Sequence, residues 1–156
     1  MHAAVNTPPA TRTVPLPDEA ATLSLGAALA EEARPGDVIA LWGELGAGKT
    51  VLARGFIQAM LGEVEVTSPT FTLVQIYGEG ASEIWHVDLY RIEAEAELAE
   101  LGLEEAFERA VCLVEWPERL GALLPEDRLD VGLDFVENGG RNALVTPRGD
   151  WSRRHE

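Results

Sequence analysis

The sequence contains very little cysteine, histidine and lysine, and the first two shortages each exclude a class of site. Cys112 is the only cysteine, so the chain can form no intramolecular disulfide and no multi-cysteine metal site. It lies in the apolar run AVCLVEW, where a small buried residue is expected. The three histidines are far apart in the sequence, which argues against a zinc site.

Long apolar runs are also missing. No run approaches the roughly 18 residues that a membrane-spanning helix needs. The N-terminal stretch MHAAVNTPPATRT lacks the basic start and the apolar core of a secretory signal. We therefore expect a cytoplasmic protein that has no membrane partner.

Positive charge is scarce, because 12 Lys and Arg residues face 27 Asp and Glu residues and give a net charge of −15. Binding to a nucleic-acid backbone depends on clustered Lys and Arg. We therefore expect no DNA binding and no strong direct binding of tRNA. A basic protein partner would suit this charge, although an acid excess can also serve solubility alone.

The chain does have the apolar content of a globular protein. It is 156 residues long and 46% hydrophobic, which suits one domain with a proper core. We predict a single domain over residues 14–147, between a disordered N-terminal tail at 1–13 and a C-terminal tail at 148–156.

Strand and helix patterns alternate along this domain. The predicted elements are an edge strand at 14–17, a helix capped by Asp18, a strand at 38–42, a helix from Lys49 to Gly62, a hairpin formed by FTLVQIY and EIWHVDLY, a helical segment that breaks near Gly102, a strand at 111–116, and a second hairpin that turns at Asn138–Gly139. This order predicts an α/β fold. Its central sheet is mixed and mainly parallel, flanked by helices and extended by antiparallel hairpins.

The only lysine lies in the stretch GELGAGKT, which fits the pattern G-x-x-x-x-G-K-[ST] at Gly43, Gly48, Lys49 and Thr50. Backbone N–H groups of such a loop cradle phosphate oxygens, and the following helix points its positive end at them. Lys49 would reach the β- and γ-phosphates, and the Thr50 hydroxyl would bind Mg²⁺. The remaining predicted contacts of the loop are Glu44, Leu45, Gly46 and Ala47.

The other eleven basic residues are arginines. A compact ammonium group differs from the planar arginine fork, which would not fit in a phosphate loop. A composition that replaces lysine everywhere else is therefore expected to keep this one. The lysine bias supports the motif independently of its pattern.

Two carboxylates end predicted strands and are predicted to hold Mg²⁺ or polarise water. Alternation in EIWHVDLYR puts His86, Asp88 and Tyr90 on one face of the strand. Glu115 follows the apolar run VCLV, as the acid does in a Walker B strand. Either carboxylate could instead cap a neighbouring helix.

The segment TSPTF carries several hydroxyl groups between the loop helix and the next strand. In many phosphate-loop enzymes a threonine in this place senses the γ-phosphate and the metal. Thr70 is the predicted sensor, followed by Ser68 and Thr67. An ordinary Ser-Pro turn is the alternative.

The base-reading motif of GTPases, N-K-x-D, needs a lysine that this chain does not have outside the phosphate loop. Its absence favours ATP over GTP.

Taken together, these motifs resemble the bacterial TsaE family, ATPases of tRNA threonylcarbamoyladenosine biosynthesis. The resemblance runs from about residue 16 to residue 145. It rests on PLPDEAATLSLG, GELGAGKT, SPTFTLVQIY, HVDLYRI and CLVEWPERL in this order. The glycine loop is shared by many families, whereas the combination of SPTF, H-x-D-L-Y-R and EWP is far more specific.

The resemblance implies a P-loop NTPase domain that binds ATP and Mg²⁺ and hydrolyses ATP slowly, faster with partners. The implied partners are the proteins TsaB and TsaD, and hydrolysis would reset the threonylcarbamoyl-transfer complex between cycles. It assigns Lys49 and Thr50 to phosphate and metal, and Glu115 and Asp88 to the metal site. It adds nucleotide contacts at Glu19, Glu118 and Arg141; without it, Glu19 would be a helix N-terminal charge and Arg141 a surface residue.

Two other functions fit a phosphate loop. A small-molecule kinase would usually need an arginine-rich lid, and the arginines here are scattered. A nucleotide-sensing module, in which ATP controls assembly without required hydrolysis, is not separated from an ATPase by the sequence.

Overall fold

The computed structural model describes residues 11–67, 73–137 and 139–153. The strands are β1 (Arg12–Leu16), β2 (Val38–Trp42), β3 (Val74–Tyr77), β4 (Ile84–Asp88), β5 (Val111–Glu115), β6 (Arg128–Phe135) and β7 (Arg141–Arg148). The helices are α1 (Glu19–Glu32), α2 (Lys49–Leu61), α3 (Glu95–Glu100), α4 (Leu103–Arg109) and α5 (Asp150–Arg153), and a kinked 3-10 segment covers Pro117–Leu123.

The seven strands form one sheet in the order β1-β7-β6-β2-β5-β4-β3. The four neighbouring strands β6, β2, β5 and β4 are parallel, whereas β1, β7 and β3 pair antiparallel. The predicted α/β class, the mixed sheet and both hairpins are confirmed. Parallel pairing is confined to the centre. The described sheet is therefore half parallel rather than mainly parallel.

The central strands are apolar because both of their faces are covered. Ile39 and Leu41 of β2 point into one core, with side chains of α1 and α2 such as Leu29 and Phe56. Val38 and Val114 point into a second core on the opposite face, under α3 and α4. Because β2, β5 and β4 are parallel neighbours, their carboxyl ends meet at one edge of the sheet.

Two glycines bring α1 and α2 into backbone contact. A Cβ atom at Gly26 would lie 2.2 Å from the carbonyl oxygen of Leu52, and one at Gly55 would lie 2.3 Å from that of Leu23. Real Cβ atoms do not approach a backbone oxygen so closely, so any side chain at either position would push the helices apart.

Most local predictions are confirmed. The Asp18 side chain accepts a hydrogen bond from the N–H of Ala21 at 2.9 Å and caps α1. Gly102 separates α3 from α4 with φ of 72°. Cys112 is buried, and its desolvation raises the pKa of the thiol to about 12. At the second hairpin, Gly139 has φ of 88°, whereas Asn138 lies outside the described residues.

The structure corrects both predicted domain ends. Strand β1 begins at Arg12 rather than at residue 14; residues 1–10 of the predicted tail lie outside the described residues. The predicted C-terminal tail is wrong for residues up to 153, because α5 follows β7 and Trp151 is only 1% exposed in the core. Burial of a large indole stabilises this segment. Among the described residues, no helix is long and apolar enough to cross a membrane.

Candidate functional site

The loop between β2 and α2 follows a path that requires glycine. Gly43, Gly46 and Gly48 have φ of 147°, 82° and 106°, in the region that side chains disfavour. A Cβ atom at Gly43 would also lie 2.9 Å from the carbonyl oxygen of Leu133. The glycines of GELGAGKT are therefore explained by backbone geometry as well as by the motif.

Helix α2 begins at the end of this loop without a side-chain cap. Its N-cap is Gly48, and no side chain of the described residues accepts a hydrogen bond at this end. The first N–H groups of a helix need acceptors. Thirteen residues of α2 also place the positive end of the helix dipole at the loop. Loop and helix together form a site suited to an anion.

Lys49 points back over the loop and is only 5% exposed. Its Nζ donates to the carbonyl oxygen of Gly43 in a short contact and to that of Glu44 at 3.2 Å. It also lies 3.8 Å from the centre of the Trp116 ring, a cation–π distance. Burial lowers the pKa of Lys49, and nearby carboxylates, Glu115 foremost, oppose that shift.

Glu115 connects β5, α2 and β4. Its Oε2 accepts from the Thr50 hydroxyl at 2.9 Å and is 2.7 Å from Nε2 of His86. Glu115 is 3% exposed and His86 is fully buried. A carboxylate oxygen only accepts, so Nε2 of His86 carries the hydrogen. The recorded partners of Glu115 are thus side chains of α2 and β4.

Asp88 lies beside Glu115, because the two residues are register partners at the ends of the parallel strands β4 and β5. Its Oδ1 accepts from the N–H of Tyr90 at 3.0 Å, and the residue is 5% exposed. Two carboxylates and one hydroxyl thus meet at the carboxyl ends of the parallel strands, which is where open α/β sheets bind ligands.

These side chains line a cavity of about 450 Å³, here called the lysine cavity. Its walls include Lys49, Thr50, Asp88, Glu115, Trp116 and Tyr90. The Tyr90 and Trp116 rings are 4.9 Å apart, and Trp116 adopts φ of 60°, which is unusual outside glycine. This backbone turn carries the Trp116 indole to Lys49.

A second cavity, of about 270 Å³, lies on the other side of the loop and is called the hairpin cavity. It is lined by Leu16, Asp18, Glu19, Gly46, Gly140 and Arg141, among others. Arg141 reaches it because β7 pairs with β1, with Arg141 opposite Leu16. Its Nη2 donates to the carbonyl oxygen of Gly46 at 3.1 Å. Glu19 faces the same space and forms an exposed ion pair with Arg54 at 3.3 Å.

Glu118 lies on a third side of the loop. With Gly43, Glu44, Trp116, Asp134 and Phe135 it lines an open depression of about 620 Å³. The predicted contact residues therefore surround the glycine loop, but Glu118 and Glu19 lie in different cavities. Leu45, at the loop tip, borders the lysine cavity and is 64% exposed.

The hydroxyl segment is described only in part. Thr70 and Ser68 lie outside the described residues, so their predicted sensing role stays a prediction. Thr67 is described, and its N–H donates to the Tyr77 hydroxyl at 3.3 Å.

The site fits Mg²⁺ better than a metal bound mainly by side chains. Within the described stretches, no group of three or more His, Cys, Asp and Glu side chains is arranged to hold a metal. Mg²⁺ usually takes one or two carboxylates together with substrate phosphates and water. Thr50, Glu115 and Asp88 form such a sparse oxygen set, beside the anion site of α2.

Two residues without a predicted role join this site. Trp116 contacts Lys49, and His86 contacts Glu115. The strand alternation in EIWHVDLYR already placed His86 on the face of Asp88, so a sequence signal for it existed. Nothing in the sequence predicted the backbone turn at Trp116.

Comparison with known proteins agrees with these motifs. Residues 16–143 match the model of the family described as threonylcarbamoyl adenosine biosynthesis protein TsaE. The chain is 40% identical to the tRNA threonylcarbamoyladenosine biosynthesis protein TsaE of Bacillus subtilis over 119 residues, covering 76% of this chain and 74% of that protein.

A TsaE protein of Mycobacterium bovis is 42% identical over 135 residues, with 81% and 80% of the two chains covered. The crystal structure of YdiB from Bacillus subtilis superposes with a TM-score of 0.76 at 29% identity, covering 94% of this chain and 97% of the other. Together with the match over residues 16–143, these similarities show that the chain belongs to the TsaE family.

Proposed function

We propose that this protein is a P-loop ATPase that binds ATP with Mg²⁺ and hydrolyses it in support of tRNA threonylcarbamoyladenosine formation. The observation that carries the proposal is the convergence of Lys49, Thr50 and Glu115 at the uncapped start of α2. The relatives are tRNA threonylcarbamoyladenosine biosynthesis proteins, and this supplies the pathway.

The triphosphate would lie along the glycine loop, with its oxygens on the N–H groups at the start of α2. In the structure, Lys49 Nζ binds the carbonyl oxygens of Gly43 and Glu44. Binding of ATP would replace these neutral acceptors by charged β- and γ-phosphate oxygens, which form stronger hydrogen bonds with an ammonium group. Lys49 is thus held close to the position in which it would work.

Thr50, Glu115 and Asp88 are the side chains that would hold Mg²⁺. The ion, when bound, would neutralise charge that develops on the phosphates. The buried carboxylates would also orient the attacking water, whose oxygen bonds to the γ-phosphorus while the bond to the β–γ bridging oxygen breaks. The products are ADP and phosphate.

The nucleoside would extend into the hairpin cavity, between Glu19 and Arg141. The hairpin cavity, at about 270 Å³, is smaller than the lysine cavity, and its walls carry carboxylates at Asp18 and Glu19. Carboxylates can accept from the exocyclic amine of adenine, but also from N1–H and the 2-amino group of guanine, so these walls do not select the base. The choice of ATP rests on the absence of a GTPase base motif, and we propose ATP as the substrate.

We propose TsaB and TsaD as the partners, and hydrolysis as the step that returns their transfer complex to its starting state. A net charge of −15 disfavours direct contact with tRNA or DNA. The protein would therefore dock on the proteins that hold the tRNA, in the cytoplasm. Low-micromolar tRNA binding by the isolated chain at physiological salt would contradict this part.

The deciding experiment is Mg²⁺-ATP turnover by the chain, alone and with purified TsaB and TsaD, for wild type, Lys49→Ala and Lys49→Arg. We expect turnover that rises with the partners and is lost in both variants, since arginine does not replace the lysine ammonium. Turnover that does not change when TsaB and TsaD are added would refute the pathway role. A small-molecule kinase would then be the next function to test.

A further inference from the structure

His86 is a polar residue in a place where packing alone would favour an apolar one. Its side chain is fully buried on the face of β4 that it shares with Ile84, which packs in the core with α1 and α2. Its register partner on β5 is Leu113, which is also fully buried. Burying an imidazole without hydrogen bonds is costly, so a specific bond must compensate for its presence.

The bond recorded for His86 goes to Oε2 of Glu115, at 2.7 Å. In the described part of the chain, the other ring nitrogen, Nδ1, is buried without a partner. The burial of His86 is thus compensated through Glu115 alone. A residue retained only for packing would not need this polar contact.

The geometry at Glu115 is asymmetric. Both recorded donors, Nε2 of His86 and Oγ1 of Thr50, meet at the same oxygen, Oε2. Two donors from different elements, β4 and α2, fix the plane of the carboxylate. The second oxygen, Oε1, is then the one left to face a ligand of the lysine cavity.

We propose that His86 is a positioning residue for Glu115: it holds Oε2 so that the carboxylate presents Oε1 to Mg²⁺. This inference rests on the proposed function. Hydrogen-bond partners of metal ligands orient those ligands, and their loss typically lowers metal affinity or activity by about 10–100-fold. His86 itself touches neither metal nor nucleotide.

The test compares three substitutions that differ in the donor they supply. His86→Gln can place an amide N–H near the position of Nε2. His86→Asn is polar but too short to do so, and His86→Leu has no donor. Leu113→Val removes one methylene from the core beside His86 and controls for a general loss of packing.

The first readout is binding of a fluorescent ADP analogue, titrated with Mg²⁺ and repeated in EDTA. We expect His86→Asn and His86→Leu to raise the half-saturating Mg²⁺ concentration about tenfold or more. Affinity in EDTA should stay within about twofold of wild type, because the phosphate loop is intact. His86→Gln and Leu113→Val should keep the Mg²⁺ dependence of wild type within about threefold.

The second readout is turnover as a function of Mg²⁺ concentration, which should shift in parallel. Equal Mg²⁺ dependence in His86→Gln and His86→Asn would overturn the proposal, as would an equal shift in Leu113→Val. If His86→Leu does not fold, the Gln and Asn pair decides. If wild type neither hydrolyses ATP nor responds to Mg²⁺, the proposed function itself is wrong. If wild type does both and only the His86 pattern is absent, the proposed function stands and the role of His86 is wrong.

Discussion

The lysine cavity and the hairpin cavity lie on two sides of one glycine loop, and they are built in opposite ways. In the lysine cavity, Lys49, Asp88 and Glu115 are each at most 5% exposed. Lys49 and Asp88 are hydrogen-bonded to backbone groups, and Glu115 is hydrogen-bonded to neighbouring side chains. In the hairpin cavity, the Glu19 side chain is 66% exposed and its ion pair with Arg54 is open to solvent.

This difference in burial suits the two cavities to different tasks. Charges that are buried and held by several bonds cost no reorganisation when a reaction proceeds, and they act in a medium that screens them little. Exposed pairs contribute little energy and adapt easily to a ligand. We infer that the lysine cavity carries the chemistry and the hairpin cavity adjusts affinity. Four predictions test this division, from the largest expected effect to the smallest.

Substitution of the buried acid should have the largest effect. Glu115→Gln keeps the shape of the side chain but removes the charge that would hold Mg²⁺, so we expect turnover to fall about a hundredfold or more. Nucleotide affinity in EDTA should change by less than about threefold. Single-turnover hydrolysis and a binding titration measure the two quantities.

Glu118→Gln is the matched control, because Glu118 lies in the open depression on the far side of the loop. We expect it to change turnover by less than about threefold. An equal loss in both variants would mean that burial of the acid does not set the size of the effect.

The second prediction concerns the backbone contact between α1 and α2, the helices that begin at the two cavities. Gly55→Ala adds a Cβ atom 2.3 Å from the carbonyl oxygen of Leu23. Helix propensity alone would favour alanine by about 1 kcal/mol, but overpacking of this kind costs about 1–3 kcal/mol or more. We expect a net loss of about 2 kcal/mol in the free energy of unfolding, measured with urea.

Gly132→Ala is its control. No atom lies within 4 Å of a Cβ built at Gly132, and its φ is not positive. We expect a change within about 0.5 kcal/mol. A tolerated Gly55→Ala would show that α1 and α2 can separate without loss.

The third prediction tests the hairpin cavity. Arg141→Ala removes the contact to Gly46 and one wall of the cavity. We expect nucleotide affinity to fall about three- to tenfold, which corresponds to about 0.7–1.4 kcal/mol. Turnover at saturating ATP should change less than about twofold, as expected when ground state and transition state lose the same interaction.

Arg12→Ala is the matched control. Arg12 lies opposite Val145, at the end of β1 away from the Leu16–Arg141 pair that lines the hairpin cavity. It should leave affinity unchanged. A large fall in turnover at saturation for Arg141→Ala would assign chemistry to the hairpin cavity and break the division.

The smallest effect concerns stability without nucleotide. Burial lowers the pKa of Lys49, so between that lowered value and 10.5 the unfolded state binds more protons than the folded state. The free energy of unfolding therefore rises with pH in this window, and the charged lysine destabilises the fold below it. Lys49→Met should raise the free energy of unfolding at neutral pH by less than about 1 kcal/mol.

Urea unfolding of wild type and Lys49→Met, at neutral pH and at rising pH up to 10.5, measures this difference. The difference in unfolding free energy between the two proteins should narrow as the pH rises from the lowered pKa of Lys49 toward 10.5. A less stable methionine variant would show that the hydrogen bonds to Gly43 and Glu44 outweigh the cost of burying the charge.

The sequence could group Lys49, Thr50, Asp88 and Glu115 because these parts of the lysine cavity follow local rules. A glycine loop, a helix start and two acids after apolar strands are each readable within about ten residues, and parallel strands bring their carboxyl ends together. The faces of His86 and Asp88 followed from strand alternation. Only the backbone turn that brings Trp116 to Lys49 has no such local signal.

The hairpin cavity could not be predicted from local patterns. It exists because β1 and β7, from opposite ends of the chain, pair with Leu16 opposite Arg141. Only the family resemblance assigned Glu19 and Arg141 to the nucleotide, and that assignment stays a prediction. The same limit explains the wrong C-terminal tail: burial of Trp151 depends on the strands that it covers, and its short helix has little pattern of its own.

The close approach of α1 and α2 at Gly26 and Gly55 has a geometrical consequence. Helix α1 begins beside the hairpin cavity and α2 begins at the lysine cavity. Since the two helices touch backbone to backbone, the spacing of their starts is set by main-chain atoms and cannot relax through side-chain rotation. Under the proposed function, this fixed spacing would hold the nucleoside end and the phosphate end of the site at a constant separation.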